Sequence, residues 1–273
     1  MNTTSPPSAL DRDAADRAPG CVMLAGGMGE LLALHGVSKS YRRGGRRLRV
    51  LADASLEIGL GEVGAIVGSR DEGKTTLLKI AAGIEQPDAG EVWLGDLELV
   101  GLAKEERSRL LGAEIAWVHR EGTGVKLEVL DYLALPLAMG RGRGRRETRE
   151  LAMKALERMG AVHCARQRWA ELSDWERVLV GLARGVVCKP RLLVVDSVTD
   201  GFGMSRTREA GELLLALAGE LGCGVLMSCT DLEAALIADR VWSLERRRLS
   251  LLSEQTVTQA EIIEFPKPAR ADG

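Results

Sequence analysis

The chain has 273 residues, enough for one large domain or two modest lobes at about 100–200 residues per domain. Hydrophobic residues make up 45% and charged residues 28%, which excludes a chain that is disordered or fibrous as a whole. A net charge of −2 excludes a generally basic nucleic-acid binder, so no nucleic-acid partner is expected; no apolar run reaches the roughly 18–20 residues of a membrane-spanning helix.

Residues 1–30 are rich in Pro, Ser, Asp, Ala and Gly without a period and read as a disordered tail with no secretory h-region. A folded block is expected over 31–252, and a second tail over 253–273. The block opens with strand-like LLALHGVSKSY, RLRVLADASLEI and EVGAIVG. RRGGRR (42–47) reads as a hairpin loop at a subunit edge, with contact to anionic headgroups as its other use. TTLLKIAAGI (75–84) reads as a helix, PDAGEVWLGD (87–96) as a turn and short strand, 104–111 as a short helix and AEIAWVH (113–119) as a strand. VKLEVLDYLALPL, RRETRELAMKALERMGA and SDWERVLVGLARGVV have helical spacing, with GRGRGRR (140–146) as a solvated loop between the first two. RLLVVD (191–196) is a continuous apolar run, as in a strand buried on both faces. A helix (205–221), the strand GVLMSC (224–229), a helix from Asp231 and the strands RVWSLE and RLSLL complete the block. Strands at both ends with helices between predict an α/β core and a helical lobe at about 120–185.

The cysteines (21, 164, 188, 223 and 229) form no CxxC pair, which points to buried thiols in a reducing compartment and not to disulfides or zinc. His35, His119 and His163 match no metal-ligand spacing.

GSRDEGKT (68–75) fits G-x-x-x-x-G-K-[ST], between an apolar strand and a helix. The binding loop would comprise Gly68, Ser69, Arg70, Asp71, Glu72, Gly73, Lys74, Thr75 and Thr76. Its backbone N–H groups would wrap an anion, Lys74 would reach the β and γ phosphates, and Thr75 would hold Mg²⁺. Asp196, at the end of RLLVVD, is the second expected metal residue.

Over about residues 31–252 the sequence resembles the ATP-binding subunit of an ABC transporter. The phosphate loop, IAWVHR (115–120), LSDWE (172–176), LARG (182–185), VVDSVTD (194–200) and CTDLEAALIADRVWSLE (229–245) carry the resemblance in order. ALPL (134–137), the basic hairpin and the RRETRELAMKALERMGA helix most resemble the lipoprotein-release and macrolide-export branch. The resemblance implies a P-loop NTPase of the ABC type, with an antiparallel β subdomain and an inserted helical lobe. It implies ATP and Mg²⁺ as cofactors, with Tyr41 stacked on adenine and Ser173 in the signature facing the partner's ATP. It also implies a second ATP-binding subunit, homo- or heterodimeric, and a membrane permease as partners. The implied location is cytoplasmic, peripheral on the inner face of the cell membrane.

The departures fall where the family's chemistry sits. Ser197 replaces the glutamate after the Walker B Asp, and a serine is no general base at neutral pH. Thr230 replaces the switch histidine, and Arg120, a fixed cation, replaces the Q-loop glutamine. Asp174 and Trp175 replace the signature glycines; the tryptophan adds bulk on the closing face unless it folds back onto the helical lobe. Asp71 and Glu72, each about 8 Å from a phosphate charge, would oppose binding by roughly 0.5–2 kcal/mol.

The predicted function is therefore ATP binding with impaired hydrolysis. One alternative is a non-hydrolysing regulatory or scaffold protein. Another is an active ATPase that uses Glu171 or Asp200 on water. Tyr41 is open between adenine stacking and covering an apolar edge, and Arg120 between a functional role and a solvated strand end.

Overall fold

A computed structural model describes residues 30–120, 126–140 and 144–254. Residues 1–29 of the tail expected over 1–30, Cys21 and most of the C-terminal tail lie outside these residues, while Glu30 already belongs to the first strand.

The first two strands, β1 (Glu30–Arg43) and β2 (Arg46–Gly59), form a long antiparallel hairpin. With β4 (Ala89–Leu94) and β5 (Leu97–Glu98) they make a four-stranded sheet in the order β2-β1-β4-β5. The two-residue β5 is too short to carry a period, and the sequence reading missed it.

The second sheet has the order β10-β9-β3-β8-β7-β6. Five strands run parallel: β3 (Val63–Val67), β6 (Ile115–His119), β7 (Leu192–Asp196), β8 (Gly224–Cys229) and β9 (Arg240–Glu245). The edge strand β10 (Arg248–Glu254) pairs antiparallel with β9. Ordered structure thus runs past Leu252, where the tail was expected to begin; ladder pairing of Glu254 with Arg240 carries it on.

The continuous apolar run of β7 has its reason in two cores. Leu192 and Val194 face one core, which holds Ile66, Leu226 and Leu244 together with Leu32, Leu34 and Ile58 of the antiparallel sheet. Leu193 and Val195 face the other, shared with Leu133, Leu156 and Val180 of the helical segment. Both faces are covered, so strand alternation disappears from the sequence. Helix α1 (Lys74–Ala81) contributes Leu77, Leu78 and Ile80 to the first core, between the two sheets. It ends before the expected residue 84, because Gly83 turns with φ 67°.

The helical segment contains α3 (Val129–Gly140), α4 (Arg145–Arg158) and α5 (Asp174–Val186), with short 3-10 turns at Val162–Cys164 and Trp169–Glu171. Helix α2 (Lys104–Leu110) precedes β6, α6 (Met204–Leu221) joins β7 to β8, and α7 (Leu232–Ala235) is a single turn. Among the described residues no helix is long and apolar enough to cross a membrane, and no disulfide joins Cys164, Cys188, Cys223 or Cys229.

Candidate functional site

The chain leaves β3 at Val67 and turns through residues 68–73 into α1. Gly73 caps that helix with φ 105°, where a Cβ would lie 2.7 Å from Val50 Cγ1. A Cβ on Gly68 would lie 2.6 Å from the carbonyl oxygen of Leu244. Both glycines of the pattern are therefore fixed by backbone shape or crowding. Asp71 holds φ 65°, a left-handed conformation that aspartate tolerates better than most residues.

Lys74 is only 6% exposed, and its Nζ donates to the carbonyl oxygens of Gly68 at 2.6 Å and Ser69 at 2.8 Å. The ammonium therefore curls back over the loop, beside a helix N-terminus that favours an anion.

The other half of the site comes from β7. Thr75 Oγ1 donates to Asp196 Oδ1 at 3.2 Å, across 121 residues of sequence. Both side chains offer hard oxygen atoms, the donor type that Mg²⁺ requires. Ser228, 1% exposed, also donates to Asp196 Oδ1, at 2.8 Å. Ser197 stands in the left-handed region at φ 51°; its N–H donates to Ser228 Oγ at 3.0 Å, and the two hydroxyl oxygens are 3.3 Å apart. Ser228 therefore fixes both residues. The sequence reading missed it, although a serine inside the apolar run GVLMSC was the available signal.

Tyr41 comes close to the end of the loop. Its hydroxyl donates to Glu85 Oε1 at 2.6 Å and lies 3.4 Å from Thr76 Oγ1. Burial, and then the bond to Glu85, push its pKa up. The residue is 37% exposed, so it is not sealed over an apolar edge.

The remaining positions form a network of their own. The backbone N–H and hydroxyl of Thr230 donate to Asp200 Oδ1 at 3.0 and 3.1 Å. Arg120 donates to the Asp200 carbonyl oxygen, stands 3.6 Å from an Asp174 oxygen and lies 4.9 Å from the Phe202 ring centroid. It is not simply a solvated strand end. Trp175 meets Phe202 edge-on at 5.7 Å between centroids, and the Arg206 guanidinium lies 4.8 Å from its ring. The tryptophan thus leans on the segment that enters α6. Phe202 and Arg206 carried no recognisable spacing and were not anticipated.

Ser173 makes its bonds within its own helix. Its Oγ accepts from Glu176 N at 3.3 Å, and its backbone N–H and Oγ each donate to Glu176 Oε2 at 2.7 Å, a capping box at the start of α5. The two Ser173 donors and His163 hold Glu176 down at a pKa of about 2. His163 Nε2 is 2.9 Å from Glu176 Oε1, and the Cys164 thiol beside them is pushed up to about 11 by burial and by Glu176. Histidine spacing in the sequence gave no sign of this grouping, which is brought together by a 3-10 turn. Glu171, one of the alternative bases, accepts the Arg168 N–H at 2.6 Å and closes another short turn.

A family model described as ABC transporter matches residues 51–200. The lipoprotein-releasing system ATP-binding protein LolD of Pseudomonas fluorescens is 32% identical over 220 residues, covering 80% of this chain and 96% of LolD. The chain belongs to the ABC transporter family. LolD of Cereibacter sphaeroides is 33% identical over 229 residues, covering 81% of this chain and all of that protein. Among solved structures, the dimeric ATP-binding cassette MJ0796 superposes with a TM-score of 0.74 at 25% identity, covering 80% of this chain and 96% of the cassette. A post-hydrolysis dimer of MJ0796 bound to ADP and Pi gives a TM-score of 0.75 at 24% identity, covering 81% and 99%. The ABC cassette fold, with its antiparallel sheet, parallel sheet and helical segment, is thus the fold of this chain. Within it, this member carries Ser197, Thr230 and Arg120, each already bonded to a protein neighbour.

Proposed function

We propose that this chain is the MgATP-binding subunit of a transporter, with a second ATP-binding subunit and a membrane permease as partners on the cytoplasmic face, and that its own hydrolysis is impaired. Gly68–Thr76 would cradle the triphosphate, with Tyr41 placed for the adenine. Thr75 and Asp196 would hold Mg²⁺, which when bound would neutralise phosphate charge. The observation that carries the reading is the contrast around Asp196. On one side stands the Lys74–Thr75 cradle; on the other, Ser197 and Ser228 share hydroxyl contacts where a water-activating carboxylate would be needed.

The magnitudes favour slow turnover. General-base assistance contributes about 10²–10⁴-fold, and one absent base is enough to make hydrolysis slow. Asp200 does not occupy the position after Asp196, and its Oδ1 is engaged by the N–H and hydroxyl of Thr230. The family relatives named above support the partners: LolD is named as the ATP-binding protein of a lipoprotein-releasing system, and MJ0796 as a dimer. The test is a titration with fluorescent ATP alongside phosphate release by the same preparation. Saturable Mg²⁺-dependent binding with little release supports the reading; no binding at all removes it.

A further inference from the structure

The β1–β2 hairpin ends in Arg42, Arg43, Gly44, Gly45, Arg46, Arg47, Leu48 and Arg49. Its register sets Arg43 directly opposite Arg46, and Arg42 directly opposite Arg47. Like charges in directly opposed positions destabilise a strand pair. Gly44 and Gly45 adopt φ 56° and 77°, which closes the turn tightly and gathers four guanidinium groups at one tip. Every residue from Tyr41 to Arg49 is exposed. Among the described residues only Arg47 of this tip has an acidic partner, Asp88 at 3.2 Å. The chain carries 39 acidic residues and a net charge of −2, yet none of those acids lies within 42–49. The fold thus concentrates positive charge at one projecting point and leaves most of it uncompensated.

We propose that this tip binds the headgroups of an anionic lipid surface directly. Side chains alternate across a strand pair, so Arg43 and Arg46 share one face with Tyr41 and Leu48, while Arg42, Arg47 and Arg49 share the other. Charge therefore projects from both faces of the ribbon. An acidic pocket on a protein would engage one face; a plane of headgroups met tip-first engages both. Leu48, 45% exposed, stands just behind the arginines, at the level where an apolar side chain meets the acyl boundary. A nucleic acid is a poorer fit, because it needs a broad basic face and rings free for stacking. The one ring here, Tyr41, is tied through its hydroxyl to Glu85 and has the Lys39 ammonium 5.6 Å from its centroid. Each basic residue near an anionic leaflet raises partitioning by roughly fivefold, so four arginines raise it by roughly several hundredfold.

The contact requires neither nucleotide nor permease, and it is tested on the full chain alone by co-sedimentation with vesicles. Phosphatidylcholine vesicles are compared with the same vesicles containing phosphatidylglycerol, at low and high salt. The expected result is binding to the anionic vesicles only, lost at high salt. Replacing Arg42, Arg43, Arg46 and Arg47 by Ser should weaken it at least about a hundredfold, while fluorescent ATP binding by that variant reports that the cradle still folds. Replacing exposed Lys104, Arg109, Arg166 and Arg208 by Ser removes the same net charge elsewhere and should leave vesicle binding within a fewfold of the unmodified chain. Equal binding to neutral vesicles, or an unchanged hairpin variant, overturns the proposal. So does displacement by inorganic phosphate at an ionic strength where chloride has no effect, which would mark a free-phosphate site. Tighter binding to single-stranded RNA than to vesicles at equal phosphate overturns it in favour of a nucleic acid.

Discussion

Ser228 holds Asp196 from the neighbouring strand: its hydroxyl donates to Asp196 Oδ1 at 2.8 Å and accepts the N–H of Ser197 at 3.0 Å. One buried serine thereby sets both the candidate metal carboxylate and the residue after it.

Replacing Ser228 by Ala leaves the Ser197 N–H without its acceptor and removes one donor from Asp196. Leaving a fully buried polar group unsatisfied costs about 1–3 kcal/mol; the Ser197 N–H is part-buried, so the loss should fall toward the lower end, about a few degrees in melting temperature for a domain of this size. Thermal unfolding followed by circular dichroism checks this, and Mg²⁺-dependent nucleotide affinity should fall as well because Asp196 loses its orientation. A variant that melts and binds like the unmodified chain would show that Ser228 positions nothing.

Thr75→Ala and Asp196→Asn should each weaken MgATP binding about tenfold or more while leaving metal-free ATP binding little changed. The two side chains meet at 3.2 Å and offer the oxygens that a magnesium ion needs. Titration with fluorescent ATP, with and without Mg²⁺, separates the metal contribution from the cradle. Lys74→Ala should weaken both.

The capping box gives a pH dependence with a definite sign. Glu176 is lowered to about 2 by Ser173 and His163, so its stabilisation is present above its ordinary value of 4.5 and is lost as pH falls from there toward about 2. Urea unfolding at pH 6 and at pH 3 should show a fall in stability that is smaller in Glu176→Gln. Equal pH dependence in the two proteins would remove Glu176 from the account.

Arg120→Gln deletes the bond to the Asp200 carbonyl and the stacking on Phe202. A cation–π contact at a partly exposed site contributes about 0.5–1 kcal/mol, and a hydrogen bond from a charged donor about 1.5–3 kcal/mol. The variant should melt several degrees lower. Faster amide exchange over residues 173–177 and 198–203 should accompany the loss, since Arg120 touches both segments.

The sheet and the phosphate loop were legible because their signals are local. A continuous apolar run marks a strand buried on both faces, as in β7, and the glycine-and-lysine spacing of the loop between a strand and a helix is itself a short pattern, although the atoms that crowd Gly68 and Gly73 belong to the distant Leu244 and Val50. The helical segment was legible from its period, but α3 began at Val129, four residues after the apolar pattern opened at Val125. Ser228, Phe202 and Arg206 were illegible for a different reason. Each acts on a residue far along the chain or on another element, and neither period nor motif spacing encodes such pairing. The same holds for Arg120, whose replacement was evident in the sequence while its partners Asp200, Asp174 and Phe202 were not.

The proposed function holds only if the cradle binds nucleotide while no group beside Asp196 activates water. Its most direct measurement is steady-state phosphate release by the purified chain at saturating MgATP, with a LolD relative assayed in parallel and bound nucleotide quantified in both. The expected result is occupied sites with release at least about a hundredfold below the relative, the shortfall of a missing general base. Occupied sites turning over at the relative's rate would contradict it.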